Sequence, residues 1–273
     1  MKTHNKRHLL LVGAVALGTF AVMAAIPASA DPSASNGGPA EAGYNAIPSN
    51  VNGNVPSVGP EAYAFTNVGD EVSLGGKGRT LQSMSVAFSS WGCESGGWTT
   101  KDCVTTPGAT FDVPITYKIY ADSAGTEGNL LATGVQTVAF AYRPSASPLC
   151  TTTDPVTGIP APNGKWYNKS DKTCYNGSPQ VVKLAMPAST LPDRVIWTIA
   201  YDTTHYGTTP IGESAACYAE SGGCGYDSLN VGVFSFPNAP FAGTDVDEDM
   251  IVQSDAPSSG WLGNRPLGQI ATN

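Results

Sequence analysis

An imidazole beside a carboxylate can act as a base, and the chain holds that neighbourhood in Asp202-Thr-Thr-His205-Tyr206-Gly207, with Glu213 and Asp227 further on. The companions that catalysis needs are not legible. There is no Gly-x-Ser-x-Gly elbow and no His-Glu-x-x-His pair. A glycosidase carboxylate pair is assembled from distant strands, so spacing does not reveal one. His205 sits just past the apolar run 195–200, where an imidazole can bond to loop carbonyls. It reads as a structural residue, and no catalytic residue is assigned.

Asp245-Val-Asp247-Glu-Asp249 puts three carboxylates at alternate positions, a pattern that can converge oxygen ligands on calcium in a loop. It lacks the glycine and the downstream glutamate of an EF-hand loop. A solvated acidic turn before Met250-Ile-Val is the favoured reading, so calcium is a secondary expectation and no other cofactor is expected.

The six cysteines fall as sequence pairs: Cys93 with Cys103, Cys150 with Cys174, and Cys217 with Cys224. No Cys-x-x-Cys is present, and His205 is the one histidine beyond the first thirty residues, so zinc is disfavoured and disulfides are favoured. Six cysteines allow fifteen pairings. Each pair brackets a segment too polar or too Gly-rich to be a strand, and nearest-neighbour bridges are preferred because each closes a long connection between adjacent strands. Aromatic residues gather at these loops, among them Trp91, Trp98, Trp166 and Tyr206. Such rings can stack on sugar faces, but next to a disulfide they more often pack over the bridge and plug the end of the core.

The elements that must carry these loops show a period of two. Phe111, Val113, Ile115, Tyr117 and Ile119 alternate with Asp112, Pro114, Thr116, Lys118 and Tyr120, as a strand with one buried face requires. Comparable runs cover 84–88, 135–142, 181–186, 195–201 and 229–236, with shorter ones at 250–253 and 267–271. Gly75-Gly-Lys-Gly78 and the segment 122–129 supply turns. No helical stripe with caps occurs in the body of the chain. The expectation is an all-β fold: an antiparallel, jelly-roll-like β-sandwich with disulfide-stapled loops.

Residues 1–30 combine Lys2, Lys6 and Arg7 with an apolar run ending in Pro27-Ala-Ser-Ala30, the pattern of a signal peptide cleaved before Asp31. Residues 31–43 are polar and small enough to form a disordered linker, leaving 44–273 as a single domain. Localisation is therefore expected to be extracellular, with no membrane segment after cleavage. The formal charge of −8 becomes more negative when the basic leader is removed, which disfavours nucleic acid as a partner. The sequence does not set the oligomeric state.

Several strings resemble uncharacterised secreted proteins of actinobacterial type: Gly53-Asn-Val-Pro-Ser-Val-Gly-Pro-Glu-Ala-Tyr63, Ser89-Ser-Trp-Gly-Cys93, Asp102-Cys-Val-Thr-Thr-Pro-Gly108, Tyr142-Arg-Pro-Ser145, Thr173-Cys-Tyr-Asn-Gly177, Ala200-Tyr-Asp-Thr-Thr-His-Tyr-Gly207 and Tyr226-Asp-Ser-Leu-Asn230. The resemblance implies secretion and a β-sandwich, and it transfers no catalytic residue. Together these features favour an exported, non-catalytic binding or cell-envelope-associated module, with an extracellular polysaccharide as its candidate partner. A secreted hydrolase acting on glycans or peptides, and a structural surface or matrix protein, remain as alternatives.

Overall fold

The computed structural model describes residues 41–51, 53–59, 65–201, 229–233, 239–246, 251–254 and 266–273. All lie in one compact unit, Gly37–Asn273. Every regular element among them is a strand, and all the pairings are antiparallel. One sheet is built around β4 (Leu81–Ser90). On one side β4 pairs with β11 (Ser178–Ala185); on the other it pairs in succession with β16 (Gly268–Thr272) and β13 (Leu229–Gly232). Beyond these lie β1 (Glu41–Asn45) and β2 (Ser57–Val58).

The second sheet runs from β6 (Glu127–Ala141) through β5 (Thr110–Asp122) and β12 (Arg194–Ala200) to β3 (Phe65–Ser73). The far side of β3 takes β14 (Thr244–Asp245) and β15 (Ile251–Ser254). Apart from the β5–β6 hairpin, the chain crosses between the two sheets at nearly every long connection.

The apolar alternation foreseen for residues 111–119 is the buried face of β5. Met84, Val86 and Phe88 of the first sheet share one buried cluster with Val113, Ile115, Ile119 and Ile199 of the second. Phe88 meets Phe140 edge-on across the layers, with ring centroids 5.0 Å apart. Trp197 crosses the same gap to lie against Gly268, where an added Cβ would come within 2.4 Å of the indole.

The structure differs from expectation in three places. First, β1 starts at Glu41, inside the stretch taken as linker, because Tyr44 is a core residue that ties the strand down. Second, β3 carries a charge on its inner face: Val68, Asp70 and Val72 are all buried, and the Tyr44 hydroxyl donates to Asp70 at 3.2 Å. Third, the insertion between Cys150 and Cys174 is not strandless; it folds into two ribbons, β7 (Thr151–Thr153) with β8 (Pro160–Pro162), and β9 (Trp166–Asn168) with β10 (Thr173–Tyr175). Of the run 229–236, β13 covers the first part, and 234–238 lie outside the described residues.

The outer strands β6 and β11 face each other across the sandwich edge, and two glutamines bridge them. Gln136 accepts from the Ala185 amide (3.2 Å) and donates to the Lys183 carbonyl (3.4 Å). Gln180 accepts from the Ala141 amide (3.1 Å) and donates to the Ala139 carbonyl (3.2 Å). Each amide side chain thus presents a donor and an acceptor to an edge with no neighbouring strand among the described residues, which blunts edge-to-edge association.

Candidate binding site

Two disulfide-clipped loops meet at one end of the sandwich. The first leaves β4 at Trp91 and is closed by Cys93–Cys103, whose Cα atoms are 5.5 Å apart. Both sulfurs belong to buried residues, and a two-way bridge between Ser95 and Val104 (2.9 and 2.8 Å) continues the closure. Asp102 holds the tip: its Oδ1 accepts from the Gly97 amide at 3.0 Å and from the Thr100 hydroxyl. Glu94 accepts from the Thr106 amide at 2.5 Å. The Thr100 hydroxyl, followed by the Gly97 N–H, draws the Asp102 carboxyl below its ordinary range, and the Thr106 amide does the same for Glu94.

This frame holds Trp91 and Trp98 edge to face, centroids 4.8 Å apart and planes at 80°. Both rings are half-buried. The indole N–H of Trp98 is enclosed and has no hydrogen-bond partner among the described residues.

The second loop is closed by Cys150–Cys174, with Cα atoms 5.8 Å apart. Here Trp166 is only 9% exposed, and its indole N–H donates to the Gly177 carbonyl at 2.7 Å. Its ring lies against Tyr175, centroids 5.6 Å apart. The Tyr175 hydroxyl donates to Asp171 at 2.8 Å, and that bond to a carboxylate raises the phenol's pKa. Trp166 therefore works as a plug and presents no open face for stacking.

Gly177 joins the two loops. Its carbonyl takes the Trp166 indole, and its Cα faces the Trp91 indole; a Cβ would sit 2.7 Å from Trp91 Nε1 and 2.1 Å from Ser89 Oγ. Ser89 in turn donates to Asn54 Oδ1 at 2.7 Å.

A second tie runs beneath. The Arg143 amide donates to the Gly92 carbonyl at 3.0 Å in the first loop, and its guanidinium donates to the Gly164 carbonyl at 2.5 Å in the second. Arg143 is 0% exposed and has no carboxylate partner among the described residues, and burial pulls its pKa down to about 10. Neither Gly177 nor Arg143 was a candidate site residue in the sequence: each lies in a string that carries the resemblance, Thr173-Cys-Tyr-Asn-Gly177 and Tyr142-Arg-Pro-Ser145, which gave it no role. A further hint at Arg143 is its place directly after the alternating run that ends at Tyr142.

Of the expected site residues, Trp91, Trp98 and Trp166 are thus brought to one end. Tyr206, His205, Glu213, Asp227, Cys217 and Cys224 lie outside the described residues, as do Asp247 and Asp249. Asp245 lies in β14, in register with Val72 of β3. Among the described residues no group of three His, Cys, Asp or Glu side chains is arranged to hold a metal ion, and no helix is long and apolar enough to cross a membrane. No family model, curated protein or solved structure matches the chain.

Proposed function

We propose that this is a secreted, non-catalytic β-sandwich module that binds a polysaccharide outside the cell through the loop bearing Trp91 and Trp98. The observation that carries the reading is that pair of half-buried indoles, held edge to face on a loop closed by Cys93–Cys103 and pinned by Glu94 and Asp102. A pre-ordered loop loses little conformational freedom when a ligand docks. An indole flank offers a flat apolar face to the C–H side of a sugar, and the rim residues Thr100, Lys101 and Asp102 can exchange hydrogen bonds with its hydroxyls.

Affinity electrophoresis against a panel of soluble and insoluble glycans tests the proposal. Retardation by at least one glycan is expected, with Trp98→Ala reducing the affinity by about tenfold or more while the circular dichroism stays unchanged. The burial of Trp166 favours a second reading, a structural surface protein whose aromatics cap the core. If no glycan retards the protein and Trp98→Ala lowers only its stability, that second reading takes over.

A further inference from the structure

The β7–β8 ribbon projects from the second clipped loop with every strand residue exposed. A lone two-stranded ribbon is marginal in water, and a further strand on either edge would stabilise it. The register pairs Thr151 with Pro162, Thr152 with Ala161 and Thr153 with Pro160. The Asn163 amide donates to the Cys150 carbonyl, and the Asp154 amide to the Ile159 carbonyl, each at 3.0 Å. Pairs that exchange hydrogen bonds alternate with pairs that do not. The bonded pairs are therefore 150 with 163, 152 with 161 and 154 with 159, and residues 151, 153, 160 and 162 turn their backbone groups outward.

The two edges are unlike. On β8 both outward residues are proline, which has no N–H, so that edge cannot act as a full pairing template. On β7 the outward residues are Thr151 and Thr153, and no described residue bonds to their outward groups. The ribbon is also nearly uncharged in a chain of formal charge −8: residues 144–163 contain Asp154 alone, and its carboxylate is held by the amides of Val156 (2.8 Å) and Thr157 (2.9 Å). Beyond the strand ends, Val156 and Ile159 are 91% and 65% exposed.

We propose that the outer edge of β7 pairs antiparallel with the same edge of a second copy of this chain, forming a four-stranded ribbon on a two-fold axis through Thr152. The edge is self-complementary. Thr151 would exchange two backbone hydrogen bonds with Thr153 of the second copy, and Thr153 two with Thr151 of the second copy, while the two Thr152 residues face each other as a non-bonded pair. Three consecutive β-branched residues favour the extended conformation that this requires. The low charge of the ribbon lets two acidic molecules meet there with little repulsion. Proline on β8 limits growth to a closed pair.

Sedimentation equilibrium of the full chain over a wide concentration range tests the proposal, together with two variants. The wild type is expected to show a reversible monomer–dimer equilibrium. Thr153→Pro, which removes an outward N–H and leaves the bonds to β8 in place, should weaken it by about tenfold or more. Thr152→Cys should form a covalent dimer on mild oxidation, because non-bonded antiparallel pairs bring Cα atoms to about 4.5 Å, within disulfide reach. Thr157→Cys at the ribbon tip is the control and should cross-link far more slowly. A monomer at every concentration with equal cross-linking at both positions overturns the proposal and leaves the edge to an extended segment of another protein. A dimer that Thr153→Pro does not weaken overturns it as well, by placing the interface elsewhere.

Discussion

Trp166 illustrates how one hydrogen bond turns an amphipathic ring into a structural part. Its indole N–H and the Gly177 carbonyl satisfy each other where water does not reach. Trp166→Phe keeps most of the apolar volume and deletes the donor, so the Gly177 carbonyl is left buried and unpaired. That costs about 1–3 kcal/mol. Urea denaturation should show the midpoint falling with an unchanged slope, and tryptophan fluorescence should show that the Trp91–Trp98 pair keeps its environment. Sequence could place Trp166 near a cysteine but not tell stacking face from plug, because the partner that decides it, a backbone carbonyl, carries no side-chain signature. Gly177 was hidden for a related reason: its role is to have no side chain, which leaves room for Ser89 and Trp91. Arg143 is a third case. Its pKa, lowered by burial to about 10, means that the folded state disfavours the charge at every pH below about 10, and that disadvantage lifts only as pH rises from there toward the ordinary arginine range. The two loop backbones it joins were the gain that sequence could not display.

The elements that carry one buried face were legible, and those whose reason for existing is tertiary were not. β5 announced itself through strict alternation, whereas β3 did not, since Asp70 occupies an inward position that pattern reading reserves for an apolar residue. Tyr44 supplies the hydrogen bond that makes this tolerable, and it comes from the strand that was also missed. The loop from Trp91 to Cys103 adds an acid-sensitive element. Glu94 and Asp102 have folded-state pKa values below their ordinary 4.5 and 3.8, so the stabilisation they give is fully present above those values and is lost as pH falls through the lower, folded ones. Both are solvent-facing, so the effect is local. Acid titration should therefore loosen the loop tip first. The expected record is a change in tryptophan fluorescence on the acid side of pH 3.8, ahead of any loss of strand signal in the far-ultraviolet circular dichroism. Asp102→Asn should move that fluorescence change or abolish it, and a coincident loss of both signals would show that the loop and the sheets unfold as one unit.

At the scale of the molecule, the core and the candidate site are built from separate sets of residues. The buried cluster spanning the two sheets includes no residue between Cys93 and Cys103, nor any between Cys150 and Cys174. The sandwich therefore does not need either clipped loop to bury its apolar faces, while the loops depend on their disulfides to restrict a chain rich in Gly and Pro. A bridge closing a loop of this length contributes ~3 kcal/mol by limiting the unfolded chain. For a domain of this size the loss of one corresponds to a fall in Tm of about 6–12 °C. Replacing Cys93 and Cys103 together by serine should produce a fall of that order with the strand signal retained at 25 °C. On the binding proposal it should also cost most of the glycan affinity, because Trp91 and Trp98 would have to be ordered at the moment of binding. Replacing Cys150 and Cys174 should cost a little more stability, since the separation of 24 residues exceeds that of 10, but should affect binding less. Differential scanning calorimetry paired with affinity electrophoresis on the two double variants separates these effects. Equal losses of affinity in both, or none in the first, would remove the Trp91–Trp98 loop as the place where the ligand sits.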